Sequence, residues 1–389
     1  MTKDADPMQR IHALLVLALL LLVVIPSHGQ LVDQHGSDLT FDVATWNIEN
    51  FPRAPQTVNA LSLMLNDMEI ELIGCQEITD DDALEQVAAN AGGWRTVIGD
   101  DYYGLRHAVI YDAHKVSVGA SFEIFVGNSQ PFPRAPLVVP VTMVEAEDTL
   151  RFNFMVFHLK AGRNDSDSRE RRAEAIDSLK AYVDRQMTAG NGRWMLVGDW
   201  NDDLDDPDNY NIFTPMLEDQ NYHFLTLPLV ESGSVGTWIP AGYFYDHILV
   251  TEELYQDYVV RGETEVLRLD SEYSQYEDFI SDHRPTASYF PTEALLNVVE
   301  NTSDLPSNTA LTVWPVPANA MVNIGYDLPA DAGGMVQVYD LLGRELAVWQ
   351  LDGLRGKLSW NAFEQPTGIY FVKLSTAGET RVERAVIVK

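Results

Sequence analysis

The sequence predicts a layered α/β or α+β domain followed by a small all-β sandwich. Strand-like and helix-like runs alternate from about Leu39 to Phe290. A polar segment rich in Pro, Ser and Asn then covers residues 291–312, and short alternating strands without a helical run fill the rest of the chain. Helices that alternate with buried strands are typical of sheets covered by helices, whereas consecutive short strands favour a sandwich.

The predicted strands of the first domain are short and rich in β-branched and aromatic residues. They are "FDVATWNI", "IELIGCQEI", "HAVIYD", "LRFNFMVFHL", "RWMLVGDW" and "YDHILV". Apolar residues at helical spacing predict helices over residues 55–68 and 168–187. The chain after the polar segment reads as the strands "MVNIGYDL", "GMVQVYDLLG", "ELAVWQL", "KLSWNAF", "GIYFVKLST" and "RVERAVIVK".

The N-terminal segment predicts export. An apolar run from Ile11 to Ile25 follows Lys3 and Arg10, and small residues precede Gln30. A membrane span needs about 20 apolar residues, so the run is short for an anchor helix, which is the alternative interpretation. We therefore predict a signal peptide over residues 1–29, a catalytic domain over 30–291, a linker over 292–311 and a β-sandwich over 312–389. No later stretch is apolar enough to span a bilayer, so no stable span is expected after cleavage.

The charge of the chain is strongly negative and unevenly distributed. The net charge is −32, and residues 30–309 hold 17 basic against 48 acidic side chains. Such a field repels polyanions unless metals or local basic residues offset it. This argues against tight, non-specific nucleic-acid binding but does not exclude turnover. The stretch "HLKAGRNDSDSRERR" is a local basic cluster, from which we expect phosphate contact only from Lys160 and one arginine.

Polar side chains interrupt or end six of the apolar strands and their flanking turns. They are Asn47, Glu77, His158, Asp199 with Asn201, Asp246, and the pair Asp282 and His283. A lone carboxylate in a strand is usually an ordinary edge residue, but layered sheets gather their strand ends at one rim. We therefore expect these groups to converge on one cleft. Asp199 and Asn201 are expected to face the same side because strand side chains alternate with period two.

This set of residue types predicts metal-assisted hydrolysis of a phosphoester. Carboxylate and amide oxygens suit Mg²⁺, Mn²⁺ or Ca²⁺. The single cysteine, Cys75, and the lack of a His-x-x-x-His pair disfavour zinc. Histidines supply proton transfer or charge stabilisation near neutral pH. Asp199 would then position the attacking water while Asn201 holds the phosphate or the metal.

The order of these segments resembles the endonuclease/exonuclease/phosphatase superfamily, which includes secreted deoxyribonucleases, abasic-site nucleases, sphingomyelinases and inositol-polyphosphate phosphatases. The matching pieces are "WNIEN", "CQEI", "FHLKA", "GDWND", "YDHILV" and "SDHRP". The resemblance implies a four-layer α/β sandwich of two facing mixed β-sheets flanked by helices. The arginine that often precedes the aspartate of the fifth piece by two residues is missing from "GYFYDH".

The resemblance also implies a role for each residue. Glu77 would be the principal metal ligand, Asp282 a further ligand, and Asn47 a contact to metal or phosphate. The implied catalytic residues are His158, Asp199, Asn201, Asp246 and His283, with Asp246 paired to a catalytic histidine and His283 acting as general base or phosphate contact. Arg134 matches a phosphate-contacting arginine more weakly, and a turn arginine in a Pro-rich loop is its alternative. The implied cofactor is Mg²⁺, or Mn²⁺ or Ca²⁺.

The C-terminal segment resembles the sorting domain of the type IX secretion route of Bacteroidetes-like bacteria. The pieces that match are "VWPVPANAMVNIGYDL", "VQVYDLLGRELA", "PTGIYFVKLST" and "RAVIVK", with Pro315-Val316-Pro317 in place of the usual Pro-Asn-Pro. The resemblance implies the outer-membrane secretion machinery as a partner and a secreted or cell-surface protein. A carbohydrate-binding or adhesive sandwich is the alternative.

The sequence as a whole predicts an exported, divalent-metal-dependent phosphodiesterase, foremost a nuclease acting on extracellular DNA or RNA. The first alternative is a phosphatase or a sphingomyelinase-like hydrolase of small or lipid phosphoesters. Sphingomyelinases usually need an apolar loop that contacts the membrane, and the sequence shows no convincing one. The second alternative is a surface binding protein that has lost catalysis.

Overall fold

The computed structural model describes residues 30–146, 148–207 and 210–292. In the C-terminal part it describes residues 310–314, 321–328, 334–340, 344–351, 355–363, 365–376 and 380–387. The chain divides into two units, Met1–Leu296 and Asn297–Lys389. The predicted signal peptide and residues 293–309 of the predicted linker lie outside the described residues.

The first sheet of the N-terminal unit has six strands in the order β12-β13-β1-β2-β4-β3. Its strands are β1 (Thr40–Phe51), β2 (Leu72–Ile78), β3 (Trp94–Ile98), β4 (Arg106–Asp112), β12 (Glu263–Val266) and β13 (Thr286–Pro291). Strands β1 and β2 are parallel, and the other pairs are antiparallel. The sheet is therefore mixed.

The second sheet has seven strands in the order β10-β11-β9-β8-β7-β5, with β6 paired to β7. They are β5 (Val116–Val118), β6 (Phe122–Glu123), β7 (Leu137–Glu145), β8 (Asp148–His158), β9 (Trp194–Asp199), β10 (Tyr222–Phe224) and β11 (Asp246–Thr251). Strands β8 and β9 are parallel in an otherwise antiparallel sheet.

Three long helices and five short ones accompany the sheets in the described residues. They are α1 (Thr57–Met68), α2 (Asp81–Ala91), α3 (Ser166–Thr188), α4 (Thr214–Leu217), α5 (Leu227–Glu231), α6 (Glu252–Tyr255), α7 (Leu269–Glu272) and α8 (Tyr276–Phe279). Helix α3 starts where the Asp165 side chain accepts the Ser168 N–H at 3.0 Å, which satisfies a free donor of the first turn. The two helices predicted from periodicity correspond to α1 and α3.

Three apolar cores stack these elements into four layers. One core lies between the two sheets and includes Val43, Val109, Phe154, Val197 and Ile248. A second joins the outer face of the first sheet to α1 and α2. A third joins the outer face of the second sheet to α3. The predicted four-layer sandwich of two mixed sheets flanked by helices is confirmed.

Strand direction brings the polar strand ends to one edge. The parallel strands β1 and β2 both end there, as do the parallel strands β8 and β9. Strand β11 runs antiparallel to β9 with Asp246 opposite Asp199, and Asp199 lies opposite His158 in the register of β8 and β9. Residues that are far apart in the sequence therefore share one rim of the sandwich.

The C-terminal unit consists of two small antiparallel sheets, in the orders β14-β15-β18 and β17-β16-β19-β20. Its strands are β14 (Ala310–Trp314), β15 (Met321–Asp327), β16 (Gly334–Asp340), β17 (Glu345–Leu351), β18 (Arg355–Asn361), β19 (Gly368–Thr376) and β20 (Thr380–Ile387). Both sheets contribute to one core, which includes Val322, Val338, Trp360 and Val372. The predicted small β-sandwich is confirmed.

Among the described residues, no helix combines the length and apolar character that a membrane crossing requires.

Candidate active site

An open pocket of about 830 Å³ lies at the rim where the strand ends meet. Both sheets and the loops that follow their strands line it. The predicted site residues among its lining are Glu77, Arg134, His158, Lys160, Asp199, Asn201, Asp282 and His283. Asn47 and Asp246 lie behind this lining and hold it through hydrogen bonds.

His283 is paired with a buried carboxylate. Its Nδ1 lies 2.7 Å from Asp246 Oδ2, and its Nε2 lies 3.8 Å from Asp199 Oδ2. The Asp246 main-chain N–H in turn donates to Thr237 Oγ1 at 3.1 Å. Burial lowers the pKa of His283, but the carboxylates of Asp246 and Asp199 outweigh it and raise that pKa to about 10. His283 is therefore an imidazolium whose Nε2 faces the pocket.

Asp199 accepts hydrogen bonds on both of its oxygens. Asn47 Nδ2 donates to Oδ2 at 3.1 Å, and the Asn201 N–H donates to Oδ1 at 3.0 Å. Burial raises the pKa of Asp199 to about 7. The close approach of β8 and β9 requires the preceding glycine, since a Cβ on Gly198 would lie 1.9 Å from the Phe157 carbonyl oxygen.

The expected reason for the pairing of Asp199 and Asn201 is wrong. Strand β9 ends at Asp199, and Asn201 has a left-handed backbone with φ of 55°. Asparagine tolerates this conformation better than most residues. A turn, not the alternation of a strand, therefore brings Asn201 to the pocket, and its Nδ2 donates to the Leu159 carbonyl oxygen at 3.3 Å.

His158 sits between Asp199 and Glu77. Its Nε2 lies 3.3 Å from Asp199 Oδ2, whereas its Nδ1 lies 3.8 Å from Glu77 Oε1, beyond hydrogen-bond range. Arg134 Nη2 donates to the His158 carbonyl oxygen at 3.2 Å. Burial, followed by the charge of Arg134, lowers the pKa of His158 well below its usual value. The pKa of His158 is thus shifted down and that of His283 up, although both are buried.

The three predicted metal ligands offer different atoms. Glu77 has φ of 65° and accepts Asn47 Nδ2 at 3.3 Å and the Asn50 N–H at 3.1 Å. Asn47 points its nitrogen at the carboxylates, and its Oδ1 accepts the Glu49 N–H at 3.1 Å. Asp282 Oδ2 accepts Trp238 Nε1–H at 3.0 Å. Of the two roles predicted for Asn47, this orientation favours phosphate contact.

The donor set of the site fits a hard divalent cation. Asp199, Asp246 and His283 have ligand atoms within 4.8 Å of one another, close enough to hold a metal ion. The hydrogen bond between them uses His283 Nδ1 and Asp246 Oδ2, which leaves His283 Nε2 and Asp246 Oδ1 for other contacts. The carboxylates of Glu77 and Asp282 face the pocket, and oxygen ligands of this kind suit Mg²⁺, Mn²⁺ and Ca²⁺.

The basic cluster after β8 divides into pocket and structural residues. Lys160 and Arg163 line the pocket, and Arg163 is paired with Asp203 and Asp206. Arg172 is fully buried against Asp202 at 2.9 Å. The side chains of the other two arginines lie elsewhere: Arg171 donates to the carbonyl oxygens of Ser129 and Gln130, and Arg169 covers the ring of Tyr210.

Sequence reasoning missed an aromatic wall of the pocket formed by Trp238, Tyr243 and Tyr245. The rings are near-parallel, with centroids 6.0, 5.9 and 5.4 Å apart and interplanar angles of 12°, 18° and 26°. The three centroid distances are nearly equal, so the rings form a triangle. In a stacked column the two outer rings would lie about twice as far apart as neighbouring rings. The guanidinium of Arg163 lies 4.5 Å from the Tyr243 centroid. The aromatic run "GYFYDH" before Asp246 was the available signal.

A four-layer α/β sandwich with buried acid–histidine pairs at one rim defines a phosphoesterase-type site. Residues 44–283 match the model of the Endonuclease/Exonuclease/phosphatase family. The chain belongs to this family, whose enzymes are phosphoesterases that use divalent metals.

The C-terminal unit has a match of its own. Residues 312–389 match the model of the secretion system C-terminal sorting domain. This is the type IX sorting domain, and the protein is accordingly secreted or displayed at the cell surface. The interpretation made from the sequence is confirmed for both units.

Solved structures with the same family fold resemble the chain at low identity. A humanised D. rerio TDP2 with 14 mutations is 15% identical, covers 66% of this chain and 100% of its own, and has a TM-score of 0.48. A Bacteroides thetaiotaomicron mannosyl-6-phosphatase is 15% identical over 64% and 98%, with a TM-score of 0.46. The human Nocturnin catalytic domain is 15% identical over 67% and 97%, also with a TM-score of 0.46. No curated protein sequence matches the chain.

Proposed function

We propose that this protein is an exported, divalent-metal-dependent phosphodiesterase that hydrolyses extracellular DNA or RNA. One observation carries the proposal: the two sheets bring Glu77, His158, Asp199 and the Asp246–His283 pair to one pocket. Acid and histidine groups with opposite charge preferences at one place supply both the base and the electrophilic contact that ester hydrolysis needs.

The side chains divide the chemistry as follows. Asp199 lies at the centre of the site and accepts or orients the proton of the attacking water. The imidazolium of His283, held by the buried Asp246 carboxylate at 2.7 Å, contacts a phosphate oxygen through Nε2. Of the two roles predicted for His283, phosphate contact therefore fits better than general base. His158 and Asn47 add neutral donors beside Asp199, and Asn201 holds the loop that carries it.

Glu77 and Asp282 would hold the metal, with the Asp282 carboxylate oriented by the indole N–H of Trp238. A bound divalent cation neutralises phosphate charge and stabilises the leaving oxygen. Lys160 and Arg134 line the pocket and would contact a phosphate. Their number is small, which matches an acidic domain that binds few phosphates at a time.

The aromatic wall favours a substrate with planar rings. Trp238, Tyr243 and Tyr245 form one face of the same pocket that holds His283 and Asp199. Stacking of a base on an aromatic side chain contributes about 1–3 kcal/mol and tolerates any sequence. Few phosphate contacts together with a stacking wall support action on single strands or strand ends.

The test is cleavage of supercoiled plasmid and of single-stranded oligonucleotides by the secreted protein with Mg²⁺. We expect cleavage that stops with EDTA and with His283→Ala. His114→Ala is the matched control, because His114 is an exposed histidine in the turn before β5 whose side chain is 74% accessible. Intact plasmid and oligonucleotides under all conditions would refute the nuclease assignment.

One observation favours the lipid alternative as a second candidate. Tyr103 is 91%, Val126 63% and Phe122 44% exposed. Glu123 in β6 accepts the Asp100 N–H at 2.8 Å and so joins β6 to the loop after β3. The loop after β3 and the loop after β6 both lie toward the rim that carries Glu77 and His158. Exposed apolar groups around a pocket mark contact surfaces. Hydrolysis of sphingomyelin vesicles, lost in Tyr103→Ser while oligonucleotide cleavage is absent, would establish this candidate instead.

A further inference from the structure

The end of strand β1 is a bulge with an uncommon backbone. Residues 48–50 lie opposite the single residue Glu77 of β2, where the register of the two strands shifts. Glu49, Asn50 and Glu77 have φ values of 33°, 49° and 65°, in the left-handed region that residues other than glycine seldom adopt. Such conformations persist where surrounding contacts hold them, and bulges beside functional sites re-aim side chains. The contacts of this bulge therefore indicate its role.

The bulge contacts both carboxylates to which the metal is assigned. The Asn50 main-chain N–H donates to Glu77 Oε2 at 3.1 Å. The Asp282 main-chain N–H donates to Glu49 Oε2 at 2.9 Å. Two neighbouring residues of β1 therefore hold one carboxylate that lies on β2 and the residue of another that lies in the loop before β13.

Arg53 neutralises the Glu49 carboxylate. Its Nη1 pairs with Glu49 Oε2, the oxygen that also accepts the Asp282 N–H. Glu49 lines the pocket with a side chain that is 24% exposed, but the ion pair as a whole adds no net charge there. What Glu49 supplies to the site is therefore a fixed acceptor for the main chain of Asp282. Trp238 Nε1–H holds the side chain of the same aspartate through Oδ2 at 3.0 Å, so the Asp282 carboxylate has a set direction before any cation binds.

We propose that Glu49 is a positioning residue for the metal site. Through the Asp282 N–H it sets the place of the Asp282 carboxylate relative to Glu77, and it does not itself coordinate the ion. Ligands that are already in place lose less freedom when the ion binds, which raises affinity. Loss of a contact that orients a metal ligand typically weakens metal binding by about 10–100-fold. The inference rests on the proposed function, which assigns the metal to Glu77 and Asp282.

Two double variants of equal net charge test the acceptor alone. Glu49→Gln/Arg53→Gln keeps an amide oxygen for the Asp282 N–H, Glu49→Ala/Arg53→Gln has none, and both lack the ion pair. The measurement is Mn²⁺ affinity of the secreted protein, read from the electron paramagnetic resonance signal of free Mn²⁺. We expect the alanine variant to bind Mn²⁺ about tenfold or more weakly than the wild type and the glutamine variant to stay close to the wild type. Glu77→Gln identifies the binding that belongs to this site, because other acidic surface groups also attract Mn²⁺.

Equal Mn²⁺ affinity in the two double variants would overturn the positioning role and leave the nuclease assignment, which plasmid cleavage tests, unaffected. A wild type that binds no Mn²⁺ would overturn the metal site and the positioning role together. A crystal structure of the wild type grown with Mn²⁺ decides the question without any variant. Glu77 and Asp282 on the ion, with Glu49 still on the Asp282 N–H, would support the role, whereas an ion coordinated by Glu49 would contradict it.

Discussion

Asp42 and Glu71 are buried carboxyl groups that do not line the pocket. Asp42 is fully buried in β1, and its Oδ2 accepts the Ser37 N–H at 2.8 Å. Glu71 accepts the Asp42 N–H at 2.9 Å and Lys115 Nζ at 3.1 Å. Burial raises the pKa of Asp42 to about 7 and that of Glu71 to about 8. Lys115 offsets only part of this acidic charge, since it also pairs with Asp38 and Glu145.

These raised values make stability depend on pH at the level of a single residue. A carboxyl with a raised pKa binds more protons in the folded than in the unfolded state, so the free energy of unfolding falls as pH rises through that window. For Asp42 the window runs from its ordinary value of 3.8 to about 7. We expect Asp42→Asn to gain stability over the wild type progressively from about pH 4 to about pH 7, with a constant difference above, measured by urea unfolding.

A matched control is Asp177→Asn, which changes an exposed aspartate on α3. Its unfolding free energy should follow the wild type at every pH. A difference between Asp42→Asn and the wild type that does not change with pH would show that Asp42 titrates normally in the folded protein.

At the scale of elements, Arg172 ties α3 to the loops that carry the site. Its Nε and Nη2 donate to Asp202 Oδ2 at 3.0 and 2.9 Å, directly after Asn201. Its Nη1 donates to the Lys160 carbonyl oxygen at 2.8 Å. One buried guanidinium thus holds the segments after β8 and β9, from which Lys160 and Asn201 reach the pocket.

Arg172→Ala would leave the Asp202 carboxylate buried without its partner. Breaking a buried ion pair in this way costs about 3–5 kcal/mol. We expect a loss of that order in the unfolding free energy from urea denaturation, together with a higher KM because Lys160 loses its support. Arg185→Ala, an exposed arginine on the same helix, should change stability by less than about 1 kcal/mol. Equal stability of the two variants would mean that the Arg172–Asp202 pair makes no net contribution to the unfolding free energy.

At the scale of the whole molecule, the net negative charge affects the rate at which a polyanionic substrate associates with the protein. Residues 30–309 carry 48 acidic and 17 basic side chains. For an acidic protein and a polyanion, salt screens a long-range repulsion. We expect kcat/KM on single-stranded oligonucleotides, at fixed Mg²⁺, to rise as NaCl increases from about 10 to about 150 mM.

A small nitrophenyl phosphodiester with one negative charge is the matched substrate, and its kcat/KM should change much less with salt. A basic nucleic-acid-binding surface behaves in the opposite way, because release of counterions makes affinity fall with salt. A steady fall of kcat/KM for the oligonucleotide would therefore indicate a basic binding surface that outweighs the acidic field.

The sequence by itself determined the layered class of the first domain and the segments of the site. Alternating strands and helices predicted a layered domain, and the family resemblance implied its four layers. The six strand-end segments, from "WNIEN" to "SDHRP", contain the predicted acids and histidines that meet at the pocket. Local patterns sufficed there because strand ends of layered sheets gather at one rim whatever the details of packing. The C-terminal β-sandwich followed from its own run of short alternating strands, which is also a local pattern.

Only the tertiary structure decided what each of these side chains contacts. Arg163 and Arg172 stand in one basic stretch, yet one lines the pocket and the other is buried with Asp202. Asn201 reaches the site through a left-handed turn. Burial, charge pairing and hydrogen-bond direction arise between segments that are distant in the chain, so the residue type and its spacing do not contain them.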